Sequence, residues 1–182
     1  MLTINFDPFP LLETDRLVLR RIEETDVNEI FILRSDRRVM QYIERPPAKS
    51  TEDARLFIQK INELIKNNDA IQWAIALKND PVLIGTICIW NISKENHRGE
   101  IGYALHPEAH GKGIMQEALA EVLNFGFTIL KLHSIEANIN PDNIASIKLL
   151  ERNKFIREAF FKENIYYEGK FSDSVIYSLL EP

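Results

Sequence analysis

One stretch constrains this sequence most: an alternating strand that stops at a proline and passes through two closely spaced glycines into an amphipathic helix. Gly99-Glu100-Ile101-Gly102-Tyr103-Ala104-Leu105 alternates as a strand does, and His106-Pro107 ends it because proline cannot donate to a ladder. After His110-Gly111-Lys112-Gly113, the residues Met115, Leu119, Val122, Gly126 and Ile129 recur at helical spacing, which predicts a helix from about Gly113 to Leu130. A loop of this kind leaves backbone N–H groups unpaired at a helix N-terminus, which is an anion site. Glycines suit it because a missing Cβ lets the chain turn sharply and approach an anion closely. Each hydrogen bond to a charged group contributes about 1.5–3 kcal/mol, so a few such N–H groups could hold a pyrophosphate without a dedicated arginine. The spacing matches neither the P-loop nor the dinucleotide Gly-x-Gly-x-x-Gly, and a Gly-x-Gly turn before a helix is often a plain loop.

The rest of the chain fits around this unit. Arg16 to Ile22 reads as a strand after the extended leader Phe6 to Pro10. Thr25-Asp26 caps a helical run with Val27, Ile30, Phe31 and Arg34, and Ser50-Thr51-Glu52-Asp53 caps one that buries Phe57, Ile58, Ile61, Leu64 and Ile65. Glu44-Arg45-Pro46-Pro47 breaks the chain between them. Ile71 to Lys78 and Val82 to Ile92 form a hairpin turned at Asn79-Asp80-Pro81. Leu132 to Asn138 reads as a strand, Asp142 or Asn143 to Asn153 as a helix, and Phe155 to Lys162 and Val175 to Leu180 as strands. The expectation is one α/β (α+β) domain over residues 1–182, with a mixed central sheet of about six to seven strands and about four flanking helices.

Composition excludes several classes. No apolar run approaches the ~20 residues of a membrane span, and the N-terminus shows no secretory pattern, so the expected location is the cytosol. The formal charge of −5, with Lys and Arg scattered, lacks the footprint of a nucleic-acid binder. A mildly acidic surface suits a cationic amine, or is simply an average soluble surface. Cys88, the only cysteine, precludes an intramolecular disulfide; it reads as a core strand residue, the alternative being a reactive thiol. His106 and His110 superficially form a His-x-x-x-His metal pair, but Pro107 disfavours the helix that would place both rings on one face, so no metal is expected.

Gly99 to Leu119, with its His110-Gly111-Lys112-Gly113 loop, resembles the acetyl-CoA-binding motif of the GNAT superfamily of N-acetyltransferases. Asn140-Pro141-Asp142-Asn143-Ile144-Ala145-Ser146 through Asn153-Lys154-Phe155 resembles that superfamily's Asn-x-x-Ser stretch ending in Gly-Phe. With Glu13-Thr14-Asp15-Arg16-Leu17-Val18-Leu19-Arg20 at the start and Tyr167 to Asp173 near the end, the likeness is to the RimJ/RimL-like branch and covers almost the whole chain. Two positions depart from the pattern: Glu108, where Gln or Arg is common, and Lys154, where Gly is usual.

The resemblance implies a GNAT-like fold and acetyl-CoA as cosubstrate. It assigns cofactor binding to Leu105, His106, His110, Gly111, Lys112, Gly113, Ile114, Met115, Asn138, Asn143 and Ser146. A backbone N–H near Leu105 or His106 would meet the thioester carbonyl, and Asn143 would lie beside the pantetheine arm; on local grounds Asn143 also reads as a helix cap. Ser146 would protonate the leaving thiolate, unless it faces solvent or bonds a backbone carbonyl. Glu100 would be the general base, unless it is paired to Arg98 or solvated. Tyr103, Tyr166, Tyr167 and Tyr177 line an acceptor pocket, donate a proton, or are core.

The amine is the open question. At pH 7 an α-amino group costs roughly 1 kcal/mol to deprotonate and a lysine roughly 4.6, so a chain with no evident strong base suits a protein N-terminal α-amine. Polyamines, antibiotics and small peptides are the other acceptors of the branch, and a non-catalytic acyl-CoA-binding domain is the alternative of another class. Monomer and homodimer both remain open.

Overall fold

The computed structural model describes residues 1–181. Eight strands form one sheet: β1 (Leu12–Glu13), β2 (Leu17–Arg21), β3 (Ile71–Leu77), β4 (Asp80–Ser93), β5 (Arg98–Leu105), β6 (Ser134–Ile139), β7 (Ile156–Tyr167) and β8 (Lys170–Leu180). Five α-helices accompany them: α1 (Val27–Ser35), α2 (Arg37–Met40), α3 (Thr51–Lys66), α4 (Ile114–Thr128) and α5 (Ile144–Arg152). The sheet order is β1-β2-β3-β4-β5-β6-β8-β7, antiparallel throughout except where β5 meets β6. No helix among the described residues is long and apolar enough to cross a membrane.

Alternation along β3 divides the core between the two faces of the sheet. Fully buried Trp73 meets Phe125 of α4 edge-on, with ring centroids 5.3 Å apart. Ala74, the next residue, turns to the opposite face, where Ile22, Ile30 and Leu33 pack with Ile58 of α3. Truncating Trp73 would remove a side chain worth about 3–5 kcal/mol in such a core.

The mixed α/β expectation holds, with two more elements than the upper expectation. Strand β1 has two residues and α2 has four, each too short to leave a periodic signal. The hairpin of β7 and β8 is longer than the sequence pattern implies, closing at Glu168 (φ 47°) and Gly169 (φ 80°), a pair of positive φ angles suited to a two-residue turn. Its outer half is exposed, so no burial alternation marks it.

One irregularity positions the site. Strands β5 and β6 pair only over Arg98–Glu100 with Ser134–Glu136. Beyond Glu100, β5 stays with β4 and β6 stays with β8, so the two strands part and open a slot through the sheet.

Candidate active site

The glycine loop has the backbone that an anion cradle requires. Gly111 and Gly113 both lie at φ 73°, a left-handed conformation that costs L-residues with a Cβ roughly 1–2 kcal/mol. Gly113 is the N-cap of α4 and has no side chain to cap it; the first bond of the helix is Glu117 N–H to the Gly113 carbonyl, 3.1 Å. The N–H groups from Gly111 to Gln116 find no hydrogen-bond acceptor among the described residues, and the helix dipole adds positive potential there. Ile114 and Met115 are buried, so they offer backbone only.

This loop is held from both sides. The His110 ring bonds the Leu105 carbonyl through Nε2 at 2.9 Å, and His106 Nδ1 accepts from Glu108 N–H at 3.3 Å. Both imidazoles are therefore tied to the chain. Among the described residues no group of three or more His, Cys, Asp or Glu is arranged to hold a metal ion. On the other side, Arg16 donates from Nη1 to the Lys112 carbonyl (3.0 Å) and from Nε to Glu117 Oε2 (2.6 Å). Glu117 Oε1 accepts from Thr14 Oγ1 (2.5 Å) and from the Arg16 N–H (2.9 Å), which anchors the start of α4 to the turn before β2.

At the strand end, His106 N–H donates to the Ile84 carbonyl at 2.8 Å and is not free to meet a ligand. Backbone groups alternate sides along a strand, so the Leu105 N–H faces away from β4, into the slot. Of the two donors that the sequence left open, Leu105 is the available one.

Through the slot runs a cavity of about 670 Å³. Its wall includes Glu100 of β5 together with Asn138, Asn143 and Ser146 from β6 and the start of α5; the glycine loop lies outside this wall. Glu100, Gly102 and Ala104 share one face of β5, beside Trp90, Cys88 and Thr86 of β4. A Cβ at Gly102 would come within 3.0 Å of Cys88 Sγ, so glycine keeps the floor of the groove open there. Arg98 pairs with Glu136, not with Glu100. Glu100 instead accepts from Asn91 Nδ2 at 2.8 Å. Burial raises its pKa; the Asn91 bond opposes that rise and the Glu136 carboxylate adds to it.

Ser146 is buried, with its N–H capped by Asn143 Oδ1 at 3.1 Å. Its hydroxyl neither faces solvent nor bonds a backbone carbonyl: Oγ lies 2.5 Å from Tyr103 Oη. Burial pushes the Tyr103 phenol up to about 12, against the opposing bond to Ser146, so the pair is protonated at neutral pH. The other three tyrosines of β7 and β8 lie elsewhere: Tyr177 donates to Glu151, Tyr167 to Glu168, and Tyr166 packs at a tilt on Phe171. Cys88 lines the cavity, but burial raises its thiol to about 12, which keeps it from acting as a thiolate.

The far wall was not legible as a site from sequence. It comprises Arg34 of α1, Phe57 and Lys60 of α3, and Tyr42, Glu44 and Arg45 from the segment after α2. The signals were an arginine within the apolar stripe of α1 and a charged pair before two prolines.

A strand ending at a splayed parallel pair, a glycine-bounded helix N-terminus and a cavity through the sheet lie together at one end of β5. Residues 16–156 match the model of the acetyltransferase (GNAT) domain. The chain belongs to the GNAT acetyltransferase superfamily. It is 35% identical over 174 residues to the uncharacterized N-acetyltransferase YoaA of Bacillus subtilis (strain 168), covering 96% of this chain and 98% of the relative. It is 26% identical to the ribosomal protein uS5-alanine N-acetyltransferase of Escherichia coli (strain K12), covering 94% of this chain and 91% of the relative. The crystal structure of a GNAT-family acetyltransferase from Bacillus anthracis superposes with a TM-score of 0.84 at 29% identity, covering 94% of this chain and 99% of that one. GNAT acetyltransferases take their acetyl group from acetyl-CoA, and the free N–H groups of the glycine loop fit its pyrophosphate.

Proposed function

We propose that this GNAT acetyltransferase moves the acetyl group of acetyl-CoA directly to an α-amine at the N-terminus of a protein or peptide. The observation that carries this reading is the cavity through the sheet, with a carboxylate of raised pKa, Glu100, on one face and the Tyr103–Ser146 hydroxyl pair reached through the slot. Transfer needs both ends: a proton leaves the amine and a proton joins the sulfur.

In this reading the backbone from Gly111 to Gln116 holds the pyrophosphate, and Asn138 and Asn143 flank the pantetheine arm. The Leu105 N–H polarises the thioester carbonyl. The amine nitrogen attacks the carbonyl carbon while Glu100, directly or through water, accepts its proton. As the C–S bond breaks, Ser146 supplies a proton to the thiolate, with Tyr103 beside it. A weak carboxylate base matches an α-amine, whose deprotonation at pH 7 costs about 1 kcal/mol, better than a lysine at about 4.6. The likeness to the uS5-alanine acetyltransferase supports the same acceptor class.

Mass spectrometry of a peptide panel incubated with the chain and acetyl-CoA tests this. Acetylation at the α-amine is the expected product. Acetylation confined to lysine side chains or polyamines would overturn the acceptor, and unchanged CoA binding by both Gly111→Val and Gly113→Val would overturn the loop.

A further inference from the structure

The far wall of the cavity carries two arginines that no carboxylate pairs with. The guanidinium of Arg34 stacks on the Phe57 ring, 3.9 Å from its centroid, and its Nε and Nη1 are buried with no hydrogen-bond partner. Arg45 lines the same cavity. No ion pair among the described residues engages either of them.

The carboxylates nearby are already committed. Glu44 accepts from Ser172 Oγ, Glu100 accepts from Asn91, and Asp53 accepts from the N–H groups of Lys49 and Ser50 at the start of α3. Burial, together with like-charge repulsion from Arg45, lowers the Arg34 pKa to about 10, against a smaller opposing effect of the Asp53 carboxylate. Both side chains are still cationic at neutral pH. Donors removed from water without replacement acceptors are unfavourable, and two cations facing one cavity add to that cost.

An anionic ligand group reverses both terms. A guanidinium fork matches a carboxylate with paired hydrogen bonds. The cavity is thus dipolar, with Glu100 where the amine is deprotonated and two arginines at the opposite wall. A polyamine would place positive charge against positive charge there.

We propose that Arg34 and Arg45 bind a carboxylate of the acceptor, so that the acetylated amine belongs to an amino acid or to a peptide with an acidic residue close to its N-terminus. This rests on the acetyl-transfer reading above for the position of the amine. The two sources of carboxylate share one chemistry and differ in which atom carries the charge.

Calorimetric titration of the CoA-loaded full chain separates them. One arm compares alanine with alaninamide, which isolates an α-carboxylate. The other compares amide-capped Ala-Glu with amide-capped Ala-Gln, which isolates a side-chain carboxylate. The expected result is a preference for the acid of about ten- to a hundredfold in one arm, the effect of one or two charge-assisted hydrogen bonds. Arg34→Gln and Arg45→Gln should each cut that preference to below about tenfold while leaving CoA affinity unchanged. If Arg34→Gln does not fold, Arg45→Gln carries the same comparison.

Equal binding of acid and amide in both arms overturns the inference, as does a preference that survives the substitutions. Thiol release from acetyl-CoA, measured in parallel, keeps the two readings distinguishable. Transfer without acid preference leaves the acetyltransferase reading and removes this one. Acid preference without thiol release with any acceptor keeps the contact of Arg34 and Arg45 with a carboxylate and overturns the acetyl-transfer reading.

Discussion

Tyr103 Oη on β5 lies 2.5 Å from Ser146 Oγ on α5, the direct bridge between a strand and a helix that flank the open slot. Neither residue's neighbours in sequence predict this contact; it exists because β5 and β6 part after Glu100. Two hydroxyls sharing one bond act as a unit, so their loss is not additive. Ser146→Ala and Tyr103→Phe are each expected to lower kcat by about a hundredfold, within the usual range for a proton donor, with little change in the KM for acetyl-CoA. The double variant should be about as slow as the slower single one. The Tyr103 phenol, raised to about 12, keeps its proton as pH rises through the working range, so steady-state rates should show no alkaline loss below pH ~10 from this pair.

Glu100 provides a second test, with opposite signs for activity and stability. Its folded pKa is raised, chiefly by burial, so its contribution to stability is fully present below the unfolded value and is lost as pH rises through the folded one. Ionised Glu100 is therefore unfavourable for folding, yet ionised is the form a base needs. Glu100→Gln should lower kcat/KM by about a hundredfold and remove one acid limb from the pH–rate profile. The same variant should unfold at a higher denaturant midpoint than wild type above neutral pH, and at a similar midpoint in acid.

The brace behind the glycine loop makes a separate claim on CoA affinity. Burial tends to raise the Glu117 pKa, but hydrogen bonds from Thr14 and Arg16 outweigh it and the net shift is downward. A depressed carboxylate contributes stability above its unfolded pKa and loses it as pH falls through the folded value. Glu117→Gln should flatten the acid side of the stability curve. By releasing Arg16 from the Lys112 carbonyl it should also weaken CoA binding about tenfold, with kcat at saturating acetyl-CoA nearly unchanged.

Lys154 stands where the superfamily usually has glycine, and its φ of 66° explains why glycine is usual. Helix α5 ends there with Phe155 N–H on the Leu150 carbonyl (3.1 Å) and Lys154 N–H on the Glu151 carbonyl (2.9 Å), the paired bonds of a Schellman ending. Lys154→Gly should raise unfolding stability by about 1 kcal/mol without altering turnover, as read from urea midpoints and thiol release.

The sequence made the glycine loop, the Asn143 cap and the order of long elements readable because each depends on local backbone chemistry or on periodic burial. Glu100 was readable as a groove residue from its small neighbours, Gly102 and Ala104. The slot was not, since it depends on how far β5 and β6 stay paired, and nothing in Ser134 to Ile139 marks where pairing stops. Tyr103 was one of four tyrosines that the sequence offered as pocket lining, proton donor or core, and its contact with Ser146, which singles it out, follows from that slot. Arg34 and Arg45 were missed for a different reason: α1 and the segment after α2 carry no register with the sheet, so only packing brings them to the same cavity as Glu100.

Direct transfer from acetyl-CoA to an amine is tested most directly by single turnover with acetyl-labelled acetyl-CoA, a peptide acceptor and the wild-type chain. The thiol of Cys88, held near 12, should not take the label. The predicted result is one thiol released per peptide α-amine acetylated, no label bound covalently to the protein, and full transfer by Cys88→Ala. Label retained on the protein before the peptide is added, or thiol release that never appears with any amine, would contradict it.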